Sequence, residues 1–161
     1  HWPKNSKISV LPGLELTHLP ISQIKPLAAY SRKKGIKVII AHGETLVEPV
    51  IPGSNRASLE ADIDILAHPG LITDEDTKLA KRKGIFLEVT SRKGHKQANA
   101  HVVEQALKFG AKLLVNNDSH EPEDIISPVA LARVGIQAGL NPEALAKIDE
   151  ETARFVRSKL K

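Results

Sequence analysis

The sequence contains no cysteine, which excludes both disulfide bonds and zinc sites built on thiolates. Any metal ion must therefore be bound through nitrogen and oxygen ligands. The lack of cysteine also fits a cytoplasmic location, because disulfide bonds are typical of secreted proteins. No apolar run approaches the roughly 18 residues that a membrane-spanning helix requires, so a membrane partner is not expected.

Aromatic residues are scarce, at 3% of the sequence, and this disfavours a surface on which nucleotide bases stack. The net charge of +4 comes from lysines and arginines scattered over predicted helix positions. That distribution is more typical of a solvated surface than of a nucleic-acid interface. Nucleic acid is therefore not the expected partner.

Methionine is absent as well, and the sequence opens on His1-Trp2-Pro3. The chain is therefore a processed or engineered product or a part of a longer protein, and we favour the last interpretation. Its 161 residues, 41% of them hydrophobic, are sufficient for one core. We predict that residues 1–161 form a single domain.

What is present is a repeated pattern in which a short apolar run ends on a residue that binds metals or transfers protons. The runs end at Glu15, His42, His68, Glu88 and Asp118, at intervals of 20 to 30 residues. Each interval is about the length of one strand–helix unit. If the runs are parallel strands, these side chains lie at one edge of a sheet, where α/β folds place their active sites.

Helix and strand signals support this pattern. Strands are predicted at 8–15, 37–42, 64–67, 85–90 and 112–117, and helices at 20–34, 54–61, 74–83, 99–109, 127–138 and 142–158. The glycines that end helices and the side chains that cap them are predicted to be Gly35, Gly84 and Gly110, and Thr73, Ser127 and Asn141. Five strands are too few for an ordinary closed barrel, so the sheet is either open or part of a barrel whose other strands are missing.

His42, in the sequence AHGE, and His68, in AHPG, are the main candidate metal ligands. Each follows an apolar run and precedes glycine or proline-glycine, so each side chain is expected at the mouth of a strand. Neutral imidazole is a common ligand of zinc and of other first-row metals. A single histidine in such a position is more often structural, but two in matching contexts favour a metal site.

Asp118, His120 and Glu15 extend the candidate set. Asp118 and His120 are two residues apart at a strand end, so their side chains point the same way and can share one metal or bind two neighbouring ones. Glu15 follows Pro-Gly-Leu and is positioned to bridge two metals. The alternative for Asp118 is a capping role in the turn that precedes Glu121.

Glu44, Glu88 and His18 are ambiguous. Each glutamate is a partner that holds a ligand histidine in one tautomer, a general base, or a surface ion-pair residue. His18 lies in the segment THLP, which is equally consistent with a simple loop. His101, on a predicted helix, receives no role.

The segment 90–95 carries two cations, hydroxyl side chains and a glycine just before a predicted helix. This composition suits a phosphate group, because a helix N-terminus and a guanidinium both bind phosphate oxygens. Arg92, Lys93 and His95 are therefore the candidate substrate-binding residues.

Together these residues resemble the PHP family (polymerase and histidinol phosphatase), metal-dependent phosphoesterases built on a distorted seven-stranded βα barrel. The matching motifs are GLE at 13–15, AHGET at 41–45, LAHPG at 66–70 and NNDSH at 116–120. The segment TSRKGHKQANAHV at 90–102 is similar to a prokaryotic subgroup of the family. The resemblance implies an α/β fold with about five parallel strands of an incomplete (βα)7 TIM-like barrel.

The resemblance also implies up to three divalent metal ions, which are zinc, manganese or iron. Glu15, His42 and His68 would form one site, Glu15 and Asp118 a second, and His120 would belong to a third. The family's opening His-x-His motif is absent from the sequence. We therefore expect that the first two βα units are missing.

The implied function is hydrolysis of a small phosphorylated substrate by metal-activated water, with chemistry like that of a histidinol phosphatase. The catalytic candidates are Asp118, His120 and Glu44, and the phosphate-binding candidates are Arg92, Lys93 and His95. Two alternatives stay open. One is an amidohydrolase-type metal hydrolase, and the other is a non-catalytic PHP-like scaffold or regulatory module.

Overall fold

The computed structural model describes residue 8 and residues 10–160 of the chain. Within them the β-strands are β1 (Gly13–Leu16), β2 (Val38–His42), β3 (Ile65–Ala67), β4 (Phe86–Thr90) and β5 (Lys112–Asn116). The α-helices are α1 (Ile21–Lys33), α2 (Ser54–Glu60), α3 (Asp74–Lys83), α4 (Asn99–Phe109), α5 (Pro128–Gln137) and α6 (Pro142–Lys159). Short 3₁₀ helices cover His95–Ala98 and Pro122–Asp124. Residues 1–7, residue 9 of the predicted first strand and residue 161 lie outside the described residues.

The strands form one parallel sheet in the order β1-β2-β3-β4-β5, so each strand is hydrogen-bonded to its neighbour in the sequence. Consecutive helices from α1 to α4 pack against each other, as right-handed crossovers on one face of such a sheet require. The chain is therefore an α/β protein with a five-stranded parallel sheet. None of the helices in the described part of the chain combines the length and the apolar character needed to cross a lipid bilayer.

The predicted helices and the last four strands agree with the structure to within one residue at each end. The glycines expected to end helices have φ of 86°, 68° and 70°, and the three predicted caps accept backbone hydrogen bonds. The first strand was predicted to begin at residue 8 but begins at Gly13, where pairing with β2 starts. The residue before Gly13 is Pro12, which has no backbone N–H to donate to the hydrogen-bond ladder of the sheet. Neither 3₁₀ helix was predicted.

The two faces of the sheet contribute to two apolar clusters, because successive strand residues point to opposite faces. On the face covered by helices, residues such as Ile39 and Leu87 are fully buried. On the other face, Phe155 of α6 packs with Val38, Ile65, Phe86 and Leu114. His42 and Glu88 continue this second face at the carboxyl ends of β2 and β4. Apolar packing along the strands therefore positions the polar side chains at their ends.

At the amino-terminal ends of the strands, Asp64 precedes β3 and links β2, α1 and α6. Its carboxylate accepts hydrogen bonds from the Ile39 backbone N–H (2.8 Å), from Arg32 of α1 (2.8 Å) and from Lys159 of α6. Burial alone would raise the pKa of Asp64, but the hydrogen bonds from Lys159, Ile39 and Arg32 outweigh it and hold the pKa below its ordinary value of 3.8. The carboxylate thus fastens α6 across the amino ends of the strands.

We expect Asp64→Asn to lower the free energy of unfolding by about 1.5–3 kcal/mol at neutral pH, the usual contribution of hydrogen bonds to a charged group. Because the pKa is lowered in the folded state, this contribution is present above pH 3.8 and is lost as the pH falls through the folded value. Urea unfolding should therefore show a difference between the two chains at pH 7 that closes in strong acid.

Asp62→Asn is the matched control for this measurement. Asp62 pairs with the same Arg32, but its side chain is 63% exposed, so its loss should cost less than about 1 kcal/mol. Equal losses in the two variants would contradict the assignment of Asp64 as the residue that fastens α6.

Candidate metal centre

A polar pocket lies at the carboxyl edge of the sheet. Its lining residues are Glu15, Thr17, His42, Glu48, His68, Arg92, His95, Asp118 and His120. The pocket therefore contains all five residues predicted as metal ligands and two of the three predicted to bind phosphate. Residues from distant parts of the sequence meet here because parallel strands end at the same edge.

The loops that follow β2 and β3 touch each other, and glycine permits the contact. A Cβ atom at Gly43 would lie 2.5 Å from the Ala67 carbonyl oxygen. A Cβ atom at Gly70, whose φ is +62°, would lie 1.9 Å from the Glu44 carbonyl oxygen. Only glycine fits at such positions. The close approach brings the histidines of the AHGE and AHPG motifs together.

Three buried histidines form the centre of the pocket. The ring centroid of His68 lies 4.3 Å from that of His42 and 4.4 Å from that of His95. One ring nitrogen of each histidine lies within 4.8 Å of those of the other two. The sequence predicted His42 and His68 as ligands and His95 as a phosphate contact. The geometry instead groups His95 with the ligand histidines.

The other ring nitrogen of each histidine is held by a hydrogen bond. Nδ1 of His42 donates to the carbonyl oxygen of the next residue at 3.0 Å, and Nδ1 of His68 donates to the Glu88 carboxylate at 2.9 Å. Nδ1 of His95 is hydrogen-bonded to Oγ1 of Thr45 at 2.9 Å. In His42 and His68 the proton on Nδ1 leaves a lone pair on Nε2, which is the tautomer that binds a metal.

Nε2 of His68 shows whether the pocket fits a metal. This atom is buried and has no hydrogen-bond partner within the described residues, and the residue as a whole is 4% exposed. A buried polar atom without a partner costs free energy, and a bound cation would satisfy it. The nitrogen and oxygen donors around it therefore fit a divalent metal ion.

Glu88 orients His68. Its side chain is 2% exposed, and one carboxylate oxygen accepts hydrogen bonds from both the backbone N–H (2.7 Å) and Nδ1 (2.9 Å) of His68. Burial acts to lower the pKa of His68, but the hydrogen bond and charge of Glu88, together with the charges of Asp118 and Glu15, raise it above its ordinary value. The sequence left three roles open for Glu88. The geometry supports the first of them, in which Glu88 holds His68 in one tautomer.

Burial and the adjacent His68 lower the pKa of His42 to about 4 and also lower the pKa of His95. Both rings are therefore neutral at physiological pH. Neutral imidazole is the form that binds metal ions.

Glu15 and Asp118 reach the same pocket from β1 and from the loop after β5. Burial raises the pKa of Glu15, and the charge of Asp118 adds to the rise, although His68 opposes it. A carboxylate whose charged form is disfavoured in this way is one that a cation would stabilise. Oδ1 of Asp118 lies 3.3 Å from Nε2 of His120, so these two side chains are neighbours, as their spacing in the sequence predicted.

Arg92 extends toward the pocket from the loop after β4. Its guanidinium donates to the Asp118 carbonyl oxygen at 3.2 Å, and its Nε lies 3.6 Å from the Asp118 carboxylate. Lys93 is exposed and does not line the pocket. Of these two predicted phosphate ligands, the structure therefore places only Arg92 at the site.

Glu44 does not line the pocket. Its carboxylate accepts hydrogen bonds from the backbone N–H groups of Gly53 (3.0 Å) and Asn55 (2.9 Å) at the start of α2. These contacts cap the helix and hold the loop between β2 and α2. We therefore correct the prediction of Glu44 as a catalytic base, because its carboxylate is engaged at a helix N-terminus.

His101 also lies outside the pocket, with Nε2 at 2.8 Å from the Ile72 carbonyl oxygen.

Glu48 lines the pocket although the sequence did not predict it. Its Oε2 lies 2.9 Å from Nε2 of His18 and 3.1 Å from Nε2 of His42, and its Oε1 lies 3.2 Å from Nε2 of His95. Burial acts to raise the pKa of Glu48, but the hydrogen bond from His18 opposes it, and the pKa is lowered from its ordinary value. The signal in the sequence is weak: Glu48 is the lone charged residue in the segment TLVEPVIP at 45–52 and does not end a strand.

Strained backbone conformations occur in and beside the pocket. Within the described residues, the non-glycine residues with positive φ are His18 (53°), His68 (29°) and Asp118 (51°). Such conformations cost of order 1–3 kcal/mol each and cluster at functional sites, where the surrounding structure maintains them. The strain therefore adds His18 to the residues of interest.

Comparison with known proteins gives a relative without an assigned activity. No family model matches the chain. An uncharacterized protein of Methanocaldococcus jannaschii is 44% identical over 139 residues, which are 86% of this chain and 64% of that protein. The chain thus spans somewhat less than two thirds of the length of this relative.

Two solved structures share the fold. A chain in the cryo-EM structure of archaeal ribonuclease P with mature tRNA superposes with a TM-score of 0.78 and 20% identity, over 95% of this chain and 70% of that one. The crystal structure of an amidohydrolase superposes with a TM-score of 0.64 and 14% identity, over 84% of this chain and 40% of that one. At these identities the likeness establishes the α/β architecture with its parallel sheet.

Proposed function

We propose that this chain carries the active site of a metal-dependent phosphoester hydrolase of the PHP type, with chemistry like that of a histidinol phosphatase. The observation that carries the proposal is the composition of the pocket. Nitrogen and oxygen donors surround the unpartnered Nε2 of His68, and the cation of Arg92 borders them. The order of the motifs along the chain is that of the family it resembles.

By this resemblance, Glu15, His42 and His68 would hold one metal ion, Glu15 and Asp118 a second, and His120 would contribute to a third. Zinc, manganese and iron all accept such ligands. Divalent ions bound here supply Lewis acidity, which lowers the pKa of water and neutralises phosphate oxygens.

The protein side chains would bind the phosphate and move the proton. Arg92 matches the geometry of two phosphate oxygens and would orient the ester. As the oxygen of water bonds to phosphorus, the water gives up a proton to solvent, the ester P–O bond breaks and the leaving alkoxide needs a proton. His120, in the form that does not hold the third ion, would deliver it, because its side chain is 63% exposed and can regain a proton from solvent. Asp118, 3.3 Å away, would orient His120.

We also propose that the sheet forms part of a distorted seven-stranded TIM-like barrel. In such barrels, parallel strands follow one another in sequence order and the helices lie on the outer face. The order of β1 to β5 and the contacts between consecutive helices from α1 to α4 have this arrangement.

The test is hydrolysis by the purified chain loaded in turn with zinc, manganese and iron. The substrates are p-nitrophenyl phosphate, bis-p-nitrophenyl phosphate, p-nitrophenyl acetate and a p-nitroanilide. We expect metal-dependent release of nitrophenol from the monoester, inhibited by inorganic phosphate. Arg92→Gln should raise KM for the monoester, because a guanidinium contact to phosphate is lost, while Arg133→Gln on the exposed side of α5 should leave KM unchanged.

An amidohydrolase-type activity is the second candidate, since the fold is similar to that of an amidohydrolase. Cleavage of the acetate or the anilide without cleavage of the phosphate esters would favour it. A non-catalytic module is a further alternative, since the likeness to a chain of the archaeal ribonuclease P structure is greater, with a TM-score of 0.78. Bound metal without turnover of any of the four substrates would favour this alternative.

A further inference from the structure

We propose that His18, His42 and Glu48 form a second divalent-cation position at the mouth of the pocket, beside the buried group of His42, His68 and His95, with which it shares His42. This position is not required for phosphoester hydrolysis, so it can be tested independently of the proposed function. Its donors are two imidazole nitrogens and one carboxylate, a set that binds zinc and leaves one coordination position open.

The three ligand atoms are already close together. Oε2 of Glu48 lies 2.9 Å from Nε2 of His18 and 3.1 Å from Nε2 of His42, and each of the three residues offers a ligand atom within 4.8 Å of the others. Ligand atoms around a tetrahedral zinc ion are about 3.3 Å apart, given metal–ligand bonds of about 2.0–2.1 Å. An ion therefore fits after small side-chain adjustments.

Proton positions favour a cation between His42 and Glu48. Nδ1 of His42 lies 3.0 Å from the Gly43 carbonyl oxygen, which can only accept, so Nδ1 carries the proton of the neutral ring. Nε2 then presents a lone pair to a carboxylate oxygen 3.1 Å away, and two lone pairs at that distance repel. A metal ion between Nε2 of His42 and the Glu48 carboxylate would remove this repulsion.

The backbone conformation of His18 is uncommon. Its φ of 53° lies in the left-handed region, which few non-glycine residues adopt, although histidine is among those enriched there. Its ring centroid lies 5.0 Å from that of His42. A solvent-exposed pair of His18 and Glu48 alone contributes too little to explain such strain, since exposed ion pairs contribute about 0–1 kcal/mol. A metal ligand at this position would account for it.

The new position lies between solvent and the buried group. The side chains of His18 and Glu48 are 42% and 34% exposed, whereas that of His68 is 3% exposed. His42 belongs to both groups but has one free ring nitrogen, because Nδ1 is bonded to Gly43. Nε2 of His42 can bind one ion at a time, so an ion at the mouth that takes His42 leaves the buried ion to His68, His95 and the carboxylates of the pocket. An ion arriving from solvent meets His18 and Glu48 first.

The experiment is a zinc titration of the otherwise unaltered chain labelled with ¹⁵N-histidine, followed by NMR of the ring nitrogens. We expect zinc to shift the ring-nitrogen resonances of His18 as well as those of the buried histidines. Glu48→Gln should weaken the zinc affinity reported by His18 by about 10- to 100-fold, at least the effect of losing an outer-shell partner. The control is Glu60→Gln, an exposed glutamate of α2, which should leave the titration unchanged.

A second arm removes the buried group. His68→Asn is expected to retain one weaker zinc site that reports through His18, and adding His18→Asn should abolish it. Far-UV circular dichroism shows whether each variant is folded. If His68→Asn does not fold, the titration of the unaltered chain tests the proposed position by itself. The proposal is overturned if His18 resonances do not move at zinc concentrations that saturate His68, or if Glu48→Gln leaves the response of His18 unaltered. Absence of zinc binding at every histidine would overturn the buried metal centre as well.

Discussion

His42→Ala is expected to leave the chain without tightly bound divalent metal and without metal-dependent hydrolysis. His42 belongs to both groups of potential ligands, so its loss breaks both, whereas replacement of His18 or His95 breaks one. Plasma mass spectrometry after dialysis measures the result. We expect about one tightly held ion or more per unaltered chain, and background levels in the variant, because metal affinity depends on a complete set of ligands.

The matched control is His101→Gln. His101 lies outside the pocket, bonded to the Ile72 carbonyl oxygen, and glutamine can keep a hydrogen-bond donor there. This variant should keep its metal and its activity. Thermal unfolding of both variants separates loss of metal from loss of fold. Metal and activity that survive in His42→Ala would contradict the assignment of the pocket as a metal centre.

Glu88→Ala is expected to have the largest effect on stability. It removes the carboxylate that accepts two hydrogen bonds from His68, in a place where both side chains are almost fully buried. The variant leaves two buried N–H donors of His68 without an acceptor, and each unsatisfied buried donor typically costs about 1–3 kcal/mol. Urea unfolding of the metal-free chains measures this difference. A loss of less than about 1 kcal/mol, the range of exposed pairs, would show that His68 finds another partner.

Glu88→Gln separates the structural effect of Glu88 from its effect on the metal. The amide oxygen can still accept from the backbone N–H and from Nδ1 of His68, so we expect a smaller loss of stability than in the alanine variant. The negative charge that raises the pKa of His68 is lost, which makes the ring a weaker ligand. Zinc affinity should fall by about 10- to 100-fold, as for other outer-shell partners, when measured by competition with a chromophoric chelator.

Local patterns in the sequence were sufficient for most of the fold. Short apolar runs in β2 and β4, helix-ending glycines and the caps Ser127 and Asn141 are signals within a few residues of one another. They therefore predicted the bounds of nearly every helix and strand and the parallel sheet. The same local signals predicted that His42 and His68 lie at strand ends, because each directly follows an apolar run.

Local signals of this kind could not predict which loop side chains reach the pocket. Glu48 lies in the middle of a loop, and its position in the pocket is defined by contacts with His18, His42 and His95, which come from distant parts of the sequence. His95 is oriented by Thr45, which is 50 residues away in the sequence. Glu44, only four residues from Glu48, is drawn instead to the N-terminus of α2. No pattern of spacing distinguishes these two glutamates.

The physical reason is the range of the forces involved. Strands and helices follow from hydrogen bonds and side-chain preferences along a short stretch of chain. The choice between a capping carboxylate and a ligand carboxylate depends on which donors and charges the packed loops bring within a few ångströms. Those neighbours, such as Gly70 against the Glu44 carbonyl group, exist only once β2, β3 and β4 have assembled. Tertiary packing therefore decided which loop side chains line the pocket.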